Sequence, residues 1–214
     1  LMTAQLYCFG ESGSAYKAAL TMALTGMDWR PRYVDFFGGE TRTEAFRRLN
    51  PMGEVPVLVD GDLVLSQSGA IQCHVAEVTG RFRGHSAAER HEVLRWMMWD
   101  NHKLSGQAGM LRFLMNFLPE ARRPAEVIAF QSGRLRAALA TLEAHLAGGG
   151  RDWIVGASPS LADTACCGYL YYPEPFGFDR PAYPGIDRWL ARLSALPGWK
   201  HPYDLMPGSP ADRI

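Results

Sequence analysis

The chain carries no surplus of either charge. Its 22 Lys and Arg balance 22 Asp and Glu, so no net positive field exists to hold nucleic acid or an anionic membrane surface. Nor is there an apolar run of the ~20 residues that a spanning helix needs. The opening Leu1-Met2-Thr3-Ala4 lacks a charged region followed by an apolar one. These absences lead to the expectation of a cytoplasmic protein with neither nucleic acid nor membrane as partner. Cysteine is scarce too: Cys8, Cys73, Cys166 and Cys167 form no CxxC and are too irregularly spaced for a disulfide framework or a zinc knuckle. Cys73 and the Cys166-Cys167 pair fall inside helical apolar patterns and read as small buried side chains. The six histidines show no HxxxH or His-carboxylate spacing, so no metal is expected.

What is present is ordinary globular composition, 47% apolar over 214 residues, enough for a core and for one or two domains. Ala4 to Phe9 alternates and runs into Gly10, Gly13 and serines, as a strand entering a loop does. From Ala15 a three-four apolar spacing predicts a helix that Ser14 caps and Gly26 ends. Arg32 to Phe36 reads as a second strand, and Thr43 to Leu49 as a short helix stopped at Asn50-Pro51. Val55 to Val59, Asp60-Gly61 and Leu63 to Leu65 make a hairpin, and Gln67 to Thr79 a closing helix.

That order, β-α-β-α-β-β-α, is the order of a thioredoxin-like α/β domain over residues 1–80. Residues 81–86 form a linker. Residues 87–214 carry no convincing strand and read as an all-α helical bundle: one long helix from Ala87 to about Phe117, another from Pro124 to Leu146, and further helices from Ser160 and from Pro184 to Leu196. The end, with Pro197, Pro202, Pro207 and Pro210, suits an extended tail.

Three patches of the first domain carry chemistry. Gly10-Glu11-Ser12-Gly13-Ser14 leads small residues into a helix N-terminus, where free N–H groups and the dipole favour an anion such as a thiolate. In Asn50 to Pro56 (NPMGEVP) a proline at a strand start is a candidate cis peptide that bares the backbone of Val55. In Leu65 to Ile71 (LSQSGAI) Ser66, Gln67 and Ser68 open a helix and offer hydroxyls, an amide and N–H groups to a carboxylate. Each patch alone is also ordinary helix or turn capping.

NPMGEVPVL followed by LSQSGAI, in this order of elements and ahead of a helical domain, resembles the cytosolic glutathione S-transferases. The resemblance spans nearly the whole chain. It extends to SPSLADTACC, with Ser160 and Asp163 as a capping box, and to YPGIDRWLARLSALPGW as a penultimate helix. The stretches around Ser12 to Lys17 and LRWMMWDN resemble a bacterial, serine- or cysteine-type branch.

The resemblance implies glutathione as cosubstrate. Val55 would exchange backbone hydrogen bonds with its cysteinyl unit, Pro56 would be the cis-proline, and Gln67 and Ser68 would hold the γ-glutamyl end. The family usually has an acid where Gln67 stands, and Asp100 of a partner subunit is a candidate to compensate. The thiol-activating residue falls on Ser14, then Ser12, with Tyr7 and Tyr16 as fallbacks. Lowering a thiol from a pKa near 8.5 by about two units takes ~2.7 kcal/mol. One charge-assisted hydrogen bond, ~1.5–3 kcal/mol, together with a helix dipole meets that requirement.

Trp96, Trp99, Met97, Met98, Met110 and Phe113 have spacings that cannot all face one core. Trp96, Trp99, Met110 and Phe113 are taken as a pocket for a hydrophobic electrophile. The expected protein is a homodimeric glutathione transferase. Its alternatives are a glutathione-dependent isomerase, dehalogenase or peroxidase, and a binding or scaffold protein that has lost turnover.

Overall fold

Ala4, Leu6 and Cys8 alternate with Gln5 and Tyr7 on β1 (Ala4–Cys8), and the three inward residues are buried. In the computed structural model, which describes residues 3–210, β1 lies at the centre of a four-stranded mixed sheet of order β2-β1-β3-β4. Leu1 and Met2 of the opening stretch, and residues 211–214, lie outside the described residues. β2 (Trp29–Tyr33) runs parallel to β1, and β3 (Val57–Asp60) and β4 (Leu63–Ser66) form an antiparallel hairpin beside it. The hairpin turn holds Gly61 and Asp62, one residue later than Asp-Gly, with Gly61 at φ +59°.

Between the strands stand α1 (Gly13–Thr25), α2 (Glu44–Leu49) and, after β4, α3 (Ser68–Thr79). Alanine and leucine dominate α1, which favours helix, and Gly26 ends it at φ +75°. Helices α1 and α3 pack together over the sheet face that carries Leu6 and Leu58, paired across the ladder and fully buried. On the opposite face Val57 joins Val34 and Phe46 of α2, with Tyr7, Leu49 and Val55 packed against them. β2 covers Trp29–Tyr33 rather than Arg32 to Phe36, because the β1 ladder fixes its register from Ala4↔Trp29 to Cys8↔Tyr33.

The residues fall into two compact units. One runs through Arg83 and resumes at Pro197; the other is Gly84–Leu196. The expected second domain therefore loses its tail to the first. Gly10 N–H donates to the Pro207 carbonyl at 2.6 Å, and the buried Tyr16 hydroxyl donates to the Lys200 carbonyl at 2.9 Å. A Cβ on Gly198, φ +91°, would lie 2.8 Å from the Ala23 carbonyl oxygen, so only glycine lets the tail pass α1. The tail is not simply extended, since Pro202–Leu205 forms a helical turn, α9.

The second unit holds α4 (Ala87–Trp99), α5 (Ser105–Asn116), α6 (Ala125–Ala147), α7 (Leu161–Cys166) and α8 (Pro184–Ser194). The single long helix expected from Ala87 is divided by a π turn at Asp100–Leu104. Asp100 is fully buried there and accepts from the Ser105 hydroxyl at 2.7 Å. That contact, invisible to periodicity, holds the interruption in place. Asp163 organises the start of α7. Its carboxylate accepts from Ser160 N–H at 2.8 Å, Ser160 Oγ at 3.1 Å, Ile154 N–H at 3.0 Å and Trp189 Nε1 at 2.8 Å. Burial pushes this carboxyl above its usual range, and the four donors oppose the shift.

Candidate functional site

Sheet register brings the three patches to one end of the first unit. Tyr7 pairs with Val57, and Val57 with Ser66. Beyond that row lie the loop that leaves β1, the residues that enter β3 and the residues that leave β4. Residues 10–14, 55–56 and 66–68, far apart in the chain, thus converge by topology.

The first patch is built as a helix start. Ser12, not Ser14, is the N-cap: its Oγ accepts from Ala15 N–H at 3.1 Å, and its carbonyl accepts from Tyr16 N–H at 2.9 Å. Ser14 is the second residue of α1 and is half-buried. A cap oxygen used as acceptor leaves its own hydroxyl proton available to donate, so Ser12 keeps a donor role open. Tyr16 does not, because it is fully buried and bonded to Lys200. Tyr7 packs on the α2 side of the sheet with the Arg32 guanidinium 5.5 Å from its ring centre.

In the second patch the Val55-Pro56 peptide is cis. The approach to it is shaped by Asn50, a buried residue whose sequence pattern signals only a helix stop. Its side-chain amide donates to the Glu54 carbonyl at 2.9 Å and its Oδ1 accepts from Met52 N–H at 3.2 Å. Neither the N–H nor the C=O of Val55 has a hydrogen-bond partner among the described residues. An unpaired donor and acceptor on one residue at a sheet end is what a peptide-like ligand needs.

In the third patch Gln67 adopts φ +71°, ψ +118° ahead of α3, and Ser68 follows as the first helical residue, 9% exposed. A non-glycine residue in that conformation is a mark of functional loops. The Gln67 amide nitrogen donates to the Glu54 carboxylate at 3.2 Å and approaches the Met52 sulfur at 3.2 Å. The sequence reading missed Glu54. The signal was its place two residues before Pro56, but the contact joins positions across a hairpin and has no local spacing.

Other expectations are corrected. Asp100 is buried and bonded to Ser105, so its carboxylate is not presented to a ligand of a partner subunit. Cys73 is exposed, because the buried stripe of α3 is Ile71, Gln72, Val75 and Ala76 and Cys73 lies off it. The partial covering of its sulfur, and then the Glu77 carboxylate, push its thiol up. Cys8 is buried and its thiol is pushed up to about 12 by that burial, so it is no nucleophile. Trp96, Trp99, Met110 and Phe113 do not form one wall. Trp96 is buried, with its ring 5.1 Å from Trp99 and 4.4 Å from His145, while Met110 and Phe113 stand exposed three residues apart on α5. No cluster of three His, Cys, Asp or Glu able to hold a metal occurs among the described residues, and no helix among them is long and apolar enough to cross a membrane.

Comparison with known proteins places these features in a family. The sequence model described as "Glutathione S-transferase, N-terminal domain" matches residues 2–77, and that described as "Glutathione S-transferase, C-terminal domain" matches residues 105–197. Among curated proteins, the maleylacetoacetate isomerase of Pseudomonas aeruginosa is 31% identical over 217 residues, covering 97% of this chain and 99% of that one. The disulfide-bond oxidoreductase YfcG of Escherichia coli is 28% identical, covering 88% of this chain and 89% of its own. Among solved structures, a glutathione S-transferase from Pseudomonas fluorescens superposes with a TM-score of 0.86 at 32% identity, covering 95% of this chain and 100% of that one.

Proposed function

The chain belongs to the glutathione S-transferase family, a family of glutathione-dependent enzymes, and we propose that it is itself a glutathione transferase that activates the glutathione thiol for attack on a hydrophobic electrophile. The observation that carries this reading is the unpaired backbone of Val55 beside the cis Pro56, at the sheet end where the serines and Ser68 converge. In this reading Val55 pairs with the cysteinyl unit, the start of α3 at Ser68 takes the γ-glutamyl carboxylate, and the sulfur points to the start of α1. There Ser14, or Ser12, donates to the thiolate. Of the side chains expected to meet a hydrophobic second substrate, Met110 and Phe113 are exposed and keep that role in this reading. Trp96 drops out, being buried against Trp99 and His145.

Gln67 supplies no charge for the glutathione α-amino group, but Glu54, hydrogen-bonded to it, does. The acid needed for the ammonium is thus contributed from the other arm of the site. Two substitutions test the map. Ser68→Ala is expected to weaken glutathione binding by the ~1–3 kcal/mol of a lost buried hydrogen bond. Glu54→Gln is expected to weaken it by only about two- to fivefold, the ~0.5–1 kcal/mol of an exposed ion pair. Calorimetric titration reads both, and unchanged affinity in Ser68→Ala means the γ-glutamyl end lies elsewhere.

Isomerisation is the second reading, favoured by the isomerase relative that matches this chain along nearly its whole length. Both reactions use the same thiolate, and turnover of an aryl halide against a cis-alkene dicarbonyl separates them. A disulfide chemistry here would rely on the glutathione thiol, because the chain places no cysteine in residues 10–14 and Cys8 is buried. Failure to be retained on immobilised glutathione would leave a scaffold protein with the family fold.

A further inference from the structure

The sheet of the first unit is covered unevenly. On the face that carries Tyr7 and Val57, the short α2 packs through Phe46 at the end nearer the serines. One row further from them, the ladder lines up Arg30, Gln5, Val59 and Val64 across all four strands. That row is open: Arg30, Gln5 and Val64 are exposed and Val59 is half-buried. A cavity of about 660 Å³ begins there, lined by Thr3, Gln5, Arg30, Pro31, Arg32 and Tyr33.

Alternation along β2 brings its two arginines to one side of this cavity. Arg30 and Arg32, two residues apart on a strand, share a face with Cα atoms about 6.6 Å apart, and each stands beside a β1 partner, Gln5 and Tyr7 in turn. The Arg32 guanidinium is held 5.5 Å from the Tyr7 ring centre. Guarding the free edge of the sheet does not explain the pair. The Asp28 carbonyl accepts from Ala4 N–H and Val34 N–H donates to the Cys8 carbonyl. In a parallel ladder alternate residues bond to the same neighbour, so residues 28, 30, 32 and 34 turn their main chain to β1 and Pro31 turns outward. A proline there denies an N–H to any added strand. The edge is already blunted.

Other arginines, such as Arg90 and Arg136, also lack an ion pair among the described residues. What sets Arg30 and Arg32 apart is their siting: two guanidiniums on one strand face over a shared cavity, with an amide beside them and no carboxylate in the lining. The neighbouring Asp28 carboxylate accepts from the Thr3 hydroxyl at 2.8 Å. Two planar forks one strand repeat apart match the oxygens of a tetrahedral dianion, which each can hold bidentately. The volume lies within the usual range of small-molecule sites and leaves room for a polar body beyond the anion.

We propose that this cavity binds a small phosphomonoester, its phosphate between Arg30 and Arg32 and its polar body over Gln5 and Thr3. The site belongs to the first unit, at the opposite end of the sheet from the serines, and does not rest on the glutathione reading.

Glycerol 2-phosphate is the probe, titrated calorimetrically into the full chain at physiological ionic strength, where exposed charges beyond about 8 Å are largely screened. A saturable heat with a submillimolar Kd is expected. Arg30→Gln and Arg32→Gln, both at exposed positions, should each weaken binding roughly tenfold or more. Arg90→Gln/Arg136→Gln removes two charges elsewhere and should leave the Kd unchanged. Gln5→Glu, which sets a carboxylate beside Arg30, should abolish binding. Dimethyl phosphate, a monoanion of the same tetrahedral shape, should bind at least about tenfold more weakly than the monoester. The proposal is overturned if no saturable heat appears, if either strand variant or Gln5→Glu keeps full affinity, or if dimethyl phosphate binds equally. A loss in Arg90→Gln/Arg136→Gln as large as in the strand variants also overturns it, because net charge and not this cavity would then hold the probe.

Discussion

Replacing Ser14 with alanine is expected to raise the apparent pKa of the bound glutathione thiol by about one to two units, the equivalent of one charge-assisted hydrogen bond. The rate with an aryl halide at neutral pH should fall about ten- to a hundredfold in kcat/KM. The start of α1 and its dipole survive this change, because the cap is made by Ser12, so part of the pKa depression remains. Ser12→Ala is the contrasting variant: it removes the acceptor for Ala15 N–H and should cost about 1 kcal/mol of stability. If the pH–rate profile is unmoved in Ser14→Ala and shifts in Ser12→Ala, the activating hydroxyl is that of the cap. Spectrophotometric titration of the thiolate and the pH dependence of kcat/KM read both variants on one scale.

The largest effect on stability is expected at Asp163. Alanine there strands the Ile154 N–H and the Trp189 indole N–H in the interior and breaks the box with Ser160. Two buried donors without acceptors cost about 2–5 kcal/mol together, a fall on the order of 10 °C in Tm for a chain of this size. The same residue makes a pH prediction. Its carboxyl lies above the ordinary value of 3.8 when folded, so the native state holds that proton more tightly than the unfolded chain does. The resulting contribution is full below the unfolded value and is lost as pH rises through the raised native one. Urea unfolding of the native protein and of Asp163→Asn, which does not titrate there, should therefore show a stability difference that moves against the native protein as pH rises from about 4.

The outline of the first unit and the positions of its three patches were legible because they rest on local rules. Alternation marks β1, Gly61 marks the hairpin, Gly26 a left-handed helix end, and Val55-Pro56 a strand that begins only at Val57 because proline has no N–H to give. The choice between Ser12 and Ser14 was not legible, since both are capping residues two positions apart. The contact with Ala15 N–H decides it. The π turn escaped because Asp100 and Ser105 make it through burial and not through propensity. Trp96, Trp99, Met110 and Phe113, expected to line one pocket, are divided between a buried ring contact and an exposed face. The tail escaped for a similar reason: its anchors, Lys200 and Pro207, act through main-chain carbonyls that carry no side-chain signal.

A crystal soaked with reduced glutathione tests the account most directly. The account predicts the tripeptide in the first unit, its cysteinyl N–H and C=O paired with the main chain of Val55, its γ-glutamyl carboxylate at Ser68 and its sulfur within hydrogen-bond reach of Ser14 or Ser12. Glutathione bound at saturation anywhere else, or with Val55 left unpaired, contradicts it.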